Sequence, residues 1–411
     1  MTSQLYYRIG VPAERTLFEN QRDLFNGFVI KANLTTLYRD WTTSFIRKLK
    51  KPYFIDPVTY LFSLGLEFIS QRRGKIKKSY TKLLDYYSNE VKEILIQEGR
   101  ELFPSDFLDN TEWKEDMISN FVQNVINLQK QVGRFQQQQT LIEILEIIGE
   151  DTNAEIPTLE FLIPPYFYFE SSDDPWYRIN LKLAEVATTY KENHDLFPLL
   201  CISKSILFEP ESIERLIQDY RSFDGIVLWV SDFNELEEDR RHLGAYSEFL
   251  QRFSIKPTIV LYGGYFTSLL SKQYLTGYVR NIGYGEHRSV YAPPSGGPVP
   301  QRNFYLRSTH TKVSETKIRT LYSMFPEIRC QCGLCSSVGI QDPDEFFSTM
   351  SMNDYKAHFM FVHSIEHALS FEDQLARLNE ELENCNNFNL ADLNIKYQHL
   401  IRWKEVIENN I

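Results

Sequence analysis

Short apolar runs recur along the chain and alternate, in its later part, with longer amphipathic stretches. The runs are YYRIG at 6–10, FVIKA at 28–32, YFID at 53–56, YFYF at 166–169, PLLCI at 198–202, GIVLWV at 225–230, TIVLY at 258–262 and YVRNI at 278–282. Each is apolar, most are rich in aromatic and β-branched residues, and all are too short to make a helix, so each predicts a strand. Between the later ones, PESIERLIQDYRSF and FNELEEDRRHLGAYSEFLQRF repeat apolar residues at three and four positions, as a helix covering a sheet requires. Strand then helix, eight times over, predicts an α/β fold, a (β/α)₈ TIM barrel.

Two excursions break the rhythm. Between Asp56 and Tyr166 the chain is strongly helical, with SYTKLLDYYSNEVKEILIQEG and the run from Ser119 to Ile148, whose QQQQ at 136–139 lies inside a periodic helix. This predicts a helical insertion. After the eighth strand, APPSGGPVPQRN is a turn-rich loop leading to a short strand, FYLR, and then to a cysteine cluster; from Ser351 onward the pattern is helical. The expected organisation is first barrel strands in 1–60, a helical insertion in 61–160, the remaining barrel in 161–290, a zinc-binding subdomain with its closing helix in 291–380, and a helical tail in 381–411.

Composition narrows the picture. Of 411 residues 43% are hydrophobic and 14% aromatic, enough for a large core. No window approaches the roughly 18 apolar residues of a membrane span, and the N-terminus lacks a basic segment followed by an apolar run, so a cytoplasmic, non-membrane protein is expected. The net charge of -11 argues against indiscriminate coating of nucleic acid. A local basic segment stands out nevertheless: Arg47, Lys48, Lys50, Lys51, Arg72, Arg73, Lys75, Lys77, Lys78 and Lys82, with Tyr53 and Tyr80 among them. Of these, Arg72, Arg73, Lys75, Lys77 and Lys78 are candidate nucleic-acid contacts; a solvated loop and helix face is the plainer alternative.

Five cysteines are an odd number, and three crowd into Cys330-Gln-Cys332-Gly-Leu-Cys335. That spacing suits a metal in a reducing compartment better than a disulfide framework. Gly333 is expected to lend the turn the backbone freedom to point three thiols inward. A fourth ligand is needed for the tetrahedral Cys₃His set of a closed, structural Zn²⁺ site. The following helix offers His358, His363 and His367, and His358 is the first choice. A filled tetrahedron leaves no position for water, so chemistry is expected elsewhere.

Barrel enzymes act at the C-terminal ends of their strands. There the sequence places Asp56 after the third strand, Glu170, Asp173 and Asp174 after the fourth, Ser203 with Lys204 after the fifth, Asp232 after the sixth, Gly263 and Gly264 after the seventh, and Glu286 with His287 and Arg288 after the eighth. Carboxylates at such a rim can act as nucleophile or base or accept N–H groups of a purine-like base, and paired glycines let a flat ligand approach. Capping and turn roles are the alternatives, with Asp173 a candidate helix cap and Asp56-Pro57 a turn.

These features resemble the tRNA-guanine transglycosylases, (β/α)₈ enzymes with a Cys-x-Cys-x₂-Cys…His zinc site after the eighth strand. KANLTTLY resembles the family's Asn-Thr-Tyr-His-Leu segment, FIDPVTYLF its Thr-Asp-Ser-Gly-Gly-Phe-Gln segment, and FPLLCISKSILFEPESIERLIQDYRSFDGIVL its stretch from the Gln-Gln-Gly strand to the Phe-Asp-Gly strand. The similarity spans roughly 25–380 apart from the insertion. The chain lacks Asp-Ser-Gly-Gly, the Gly-Gly-Leu after the sixth strand, and an aspartate ending the eighth, where Gly283, Tyr284, Gly285 and Glu286 stand. These departures look like the divergent branch that inserts 7-deazaguanine bases into DNA. The resemblance implies exchange of guanine for a base such as 7-cyano-7-deazaguanine through a covalent intermediate. Asp56, Asp232 and Glu286 would be catalytic, and Asp173, Asp174, Ser203, Gly263 and Gly264 would recognise the base. The partners implied are DNA, the free base, other proteins of a DNA-modification system and a second copy of the chain.

Overall fold

The computed structural model describes residues 3–71, 74–132, 157–282, 289–292, 302–338, 342–388 and 390–410. Its centre is one curled sheet of eight strands: β1 (Gln4–Ile9), β2 (Gly27–Lys31), β3 (Tyr53–Asp56), β4 (Tyr168–Phe169), β5 (Leu199–Ser203), β6 (Ile226–Ser231), β7 (Thr258–Leu261) and β8 (Gly277–Asn281). The order is β3-β2-β1-β8-β7-β6-β5-β4 and every pairing is parallel. Backbone hydrogen bonds join the two ends: Tyr53 donates to Thr158 O at 3.2 Å and Glu160 donates to Tyr53 O at 2.9 Å. Further along the same segment, Leu162 bridges Leu196 beside β5. The segment entering β4 therefore touches both neighbours, and the predicted TIM-like barrel is present.

Register and burial sort the strand residues into two sets. Tyr6 pairs with Gly27 and Val279, and Arg8 with Val29 and Asn281; Val29 pairs with Phe54, and Lys31 with Asp56. This set lines the interior, where Tyr6 meets Phe54 edge-on at 5.6 Å. The alternate set faces the helices, as Phe28 does against Phe45 at 5.4 Å. Two glycines make room for the interior Tyr6 ring. A Cβ on Gly27 would lie 2.6 Å from Tyr6 Cε1, and one on Gly277 would lie 2.8 Å from Tyr6 Cε2.

The helices that follow the strands include α1 (Arg39–Leu49), α2 (Lys78–Tyr87), α3 (Glu115–Val132), α4 (Pro175–Ala187), α5 (Pro210–Tyr220), α6 (Arg240–Phe253) and α7 (Tyr265–Tyr274). Helices α2 and α3 occupy the expected insertion and dock on the barrel. Gln129 of α3 is fully buried; its side chain donates to Ile163 O at 2.6 Å and accepts from Ile163 N at 2.9 Å. The QQQQ run lies outside the described residues.

Beyond the barrel come an antiparallel pair, β9 (Asn303–Leu306) and β10 (Thr311–Ser314), then α8 (Glu315–Met324), α9 (Met352–Ala368), α10 (Phe371–Asn387) and α11 (Gln398–Asn410). The polar end of the chain is a docked helix: α11 buries Leu400, Trp403, Val406 and Ile407, and the Trp403 indole donates to Glu235 O at 2.9 Å. Among the described residues no helix is long and apolar enough to cross a membrane.

Candidate metal centre and barrel mouth

Cys330 and Cys332 precede a short helix, Gly333–Val338, that carries Cys335. Helix α9 lies against it and brings in His358, which is fully buried. His358 Nδ1 is 3.4 Å from both Cys332 Sγ and Cys335 Sγ and 3.9 Å from Cys330 Sγ. All four ligand atoms lie within 4.8 Å of one another, an arrangement that could hold a metal ion. A tetrahedral zinc with ordinary Zn–S and Zn–N bonds needs S···N edges of about 3.6 Å, so the set fits. The other ring nitrogen, Nε2, is 2.9 Å from Tyr305 O, and the ring stacks on Phe304 at 4.0 Å and 16°. Donation by Nε2–H to that carbonyl leaves the Nδ1 lone pair for the ion.

The competing histidines are elsewhere. His363 is buried with neither ring nitrogen hydrogen-bonded and packs edge-on against Tyr305 at 4.5 Å. His367 lies 3.4 Å from the Tyr278 hydroxyl. The role expected of Gly333 also changes: its φ is not left-handed, and the residue instead gives clearance, since a Cβ there would sit 2.8 Å from Phe361 Cζ. Crowding splits the thiols. Contact with Cys330 and Cys335 draws Cys332 well below the ordinary thiol range, while contact with Cys330 and Cys332 pushes Cys335 far above it. Three crowded sulfurs cannot all be thiolates without a compensating charge, which a bound cation would supply.

At the barrel mouth, Asp56 is completely buried. Its Oδ1 accepts from Val58 N at 2.9 Å and from the Tyr166 hydroxyl at 2.8 Å, and its Oδ2 accepts from Arg8. Because β2 lies between β1 and β3, the Arg8–Asp56 pair crosses the interior. Aromatic rings close around it. Tyr60, just past β3, meets Trp229 of β6 edge-on at 4.9 Å, Trp229 meets Tyr262 at 4.9 Å, and the Arg8 guanidinium faces the Tyr262 ring at 5.0 Å. Burial pushes the Cys201 thiol and the Tyr166 hydroxyl well above their usual ranges, and Asp56 adds to both.

Asp232 has the opposite setting. It is exposed, immediately after β6, with a left-handed φ of 60°, and accepts from the Ser231 hydroxyl at 2.7 Å. Val58 and Tyr262, at φ 52° and 65°, also follow strand ends. For non-glycine residues such conformations cost on the order of 1–3 kcal/mol each and concentrate at functional sites. Above this floor Tyr291, 49% exposed, contacts Tyr168 at 5.7 Å and Phe68 at 6.4 Å. Burial, Glu170 and Asp232 raise its hydroxyl pKa. No protein-family model and no curated protein matches the chain.

The remaining expected residues are distributed as follows. Asp174, and not Asp173, is the helix cap: it accepts from Trp176 N at 2.9 Å and from Glu170 N at 3.0 Å, while Asp173 is exposed and 3.4 Å from Arg215. Ser203 points to the interior side of β5 and accepts from Ser205 N at 3.2 Å. The amides of Gly263 and Gly264 are engaged, the first with Val279 O at 3.1 Å and the second with Glu235 at 2.8 Å. Lys75, Lys77 and Lys78 lie in the loop after β3 and at the start of α2, on the mouth side with Phe68. Arg72, Arg73, Glu286, His287 and Arg288 lie outside the described residues.

Three residues of this region carry no sequence signal. Glu235, buried beside the mouth, accepts from Gly264 N, Phe266 N at 2.9 Å, Thr267 N at 3.1 Å and the Thr267 hydroxyl, satisfying the first turn of α7. Arg8 sits inside an ordinary strand-like run, where only barrel register reveals that it faces the axis, and Tyr60 lies in the turn Thr59–Phe62 just past β3.

Proposed function

We propose that the chain is a transglycosylase that exchanges guanine in DNA for a 7-deazaguanine base such as 7-cyano-7-deazaguanine. One observation carries the reading: a Cys₃His cluster follows the eighth strand of a parallel barrel whose mouth holds two carboxylates among aromatic rings. Zn²⁺ is the ion that the donor set favours, and it supplies rigidity to the segment after β8. The basic loop at 75–78 lies on the mouth side and suits a phosphate backbone. The target base has to leave the duplex stack, and the rings of Tyr60, Trp229, Tyr262 and Tyr291 offer it faces to pack on.

Asp232, exposed and lightly bonded, is the carboxylate assigned to attack C1′ of the deoxyribose. The C1′–N9 bond breaks, its electron pair departs with guanine, and guanine takes a proton at nitrogen. The incoming base gives up its N9 proton and attacks C1′, releasing Asp232. Asp56 is the second carboxylate, paired with Arg8, and Glu286 remains a candidate outside the described residues.

The test is base exchange. Radiolabelled guanine in duplex or single-stranded DNA is incubated with 7-cyano-7-deazaguanine, and released label and modified nucleosides are measured. Asp232→Asn should abolish release and the trapped protein–DNA adduct while zinc content is unchanged. Modification of tRNA alone would move the substrate assignment to RNA, and exchange at the wild-type rate in Asp232→Asn would remove Asp232 from the mechanism.

A further inference from the structure

Arg8 is 4% exposed, yet only its Nη2 has a hydrogen-bond partner; Nε and Nη1 have none. A buried guanidinium with unmet donors is costly, and an apolar side chain of the same volume would serve a purely structural core better. Its surroundings say what is missing. The guanidinium reaches across the barrel from β1 to Asp56 on β3, and Tyr262 faces it from the β7 side. Trp229 and Tyr60 continue the wall of rings. Two unsatisfied N–H donors beside flat rings suit a planar heterocycle bearing an oxygen acceptor. A phosphate fits poorly, because the Asp56 carboxylate bonded to the same guanidinium repels a dianion.

We infer that Arg8 recognises the exocyclic oxygen of an oxo-purine or oxo-7-deazapurine taken into the barrel mouth, and so sets the preference for oxo over oxygen-free bases. This rests on the transglycosylase reading for the identity of the base. A buried polar site built to pair with a substrate group rejects analogues lacking that group, since its donors then stay unpaired.

Isothermal titration of the full chain tests it with three probes: 7-cyano-7-deazaguanine, the same heterocycle without the 6-oxo group, and inorganic phosphate. The wild type should prefer the oxo base at least tenfold. Arg8→Met should reduce that preference to within threefold, chiefly by weakening the oxo base, and Arg8→Lys should restore part of it. If Arg8→Met does not fold because Asp56 is left uncompensated, Arg8→Met/Asp56→Asn removes both charges and carries the same expectation. An unchanged preference in these variants overturns the Arg8 assignment alone and leaves its free donors to buried water. Phosphate that competes with the base in the wild type but not in Arg8→Met also overturns it. Failure of the wild type to bind either base overturns the assignment together with the reading of the mouth.

Discussion

The sharpest consequence of the metal centre concerns His358. Replacing it with alanine removes one of the four candidate ligands, the hydrogen bond to Tyr305 O and the stack on Phe304. Structural zinc contributes about 10–16 kcal/mol in small fingers, so a quarter share is about 3–4 kcal/mol. The lost imidazole packing adds about 2–3 kcal/mol. A total near 6 kcal/mol, set against an unfolding entropy of about 2.1 cal/mol/K per residue over 411 residues, lowers Tm by about 7 °C when the chain melts as a unit. His363→Ala is the matched control, a buried histidine on the same helix whose nitrogens make no hydrogen bond. Atomic emission after dialysis against EDTA should find one zinc per wild-type chain, one in His363→Ala and well under half in His358→Ala. One full equivalent in dialysed His358→Ala would refute the ligand assignment, whatever happened to Tm.

Other expectations follow from buried polar groups. Asp56→Asn should cost about 3–5 kcal/mol by leaving Arg8 without its counter-charge; Arg8→Met/Asp56→Asn should recover at least about 1 kcal/mol of it, read from denaturant titrations. Glu235→Ala frees three amides and a hydroxyl at the start of α7 and should cost about 2–4 kcal/mol by the same assay, with metal content unchanged. Burial opposes protonation of His310, but Glu381 and Glu366 outweigh it and raise the pKa to about 9. A raised folded-state pKa means stability fully present below 6.5 and lost as pH rises through about 9, with a slope of at most roughly 1.4 kcal/mol per pH unit. Burial lowers His367 and His399 to about 4, so they act in the opposite sense: stability falls as pH drops from 6.5 toward 4. Unfolding free energies from pH 4 to 10 should peak near 6.5, and His310→Gln should flatten the alkaline limb alone.

What was legible in the chain had local causes. The cysteine triplet announces itself by spacing, and the strands by compact apolar runs between turn residues. The eight runs chosen lie on or beside the eight barrel strands. His358 was separable from His363 only as a different face of one helix; which face meets the cysteines depends on how α9 lies against the short helix at 333–338. Arg8 and Asp56 are 48 positions apart and pair only because barrel closure aims both at the axis. Glu235 read as one acid among several in FNELEED, since nothing in its own segment says that the amides it caps begin 29 residues later. Gly263 and Gly264 invited a ligand-binding role for the same reason: an unoccupied amide cannot be told from an occupied one without the partner. The tail reads as helix, but its docking on the barrel does not, because Leu400, Trp403, Val406 and Ile407 are diluted by polar neighbours.

The metal centre and the mouth are joined by consecutive contacts. His358 Nε2–H is anchored at Tyr305 O, and the Tyr305 hydroxyl lies 3.2 Å from His310 Nδ1. The His310 ring lies flat on Tyr265 at 3.4 Å, and Tyr265 opens α7 directly after Gly264, whose amide Glu235 holds. Two residues before Gly264 stands Tyr262, left-handed and facing Arg8. The side chains in this series, His358, Tyr305, His310, Tyr265, Glu235, Tyr262 and Arg8, are each exposed by 6% or less. Close-packed interiors pass small displacements on, because they have no slack in which to absorb them. With an ion on the Cys₃His set, its removal by chelator is expected to reach the mouth through the seat of Tyr305 and the start of α7, which a change in Trp229 fluorescence on EDTA treatment checks.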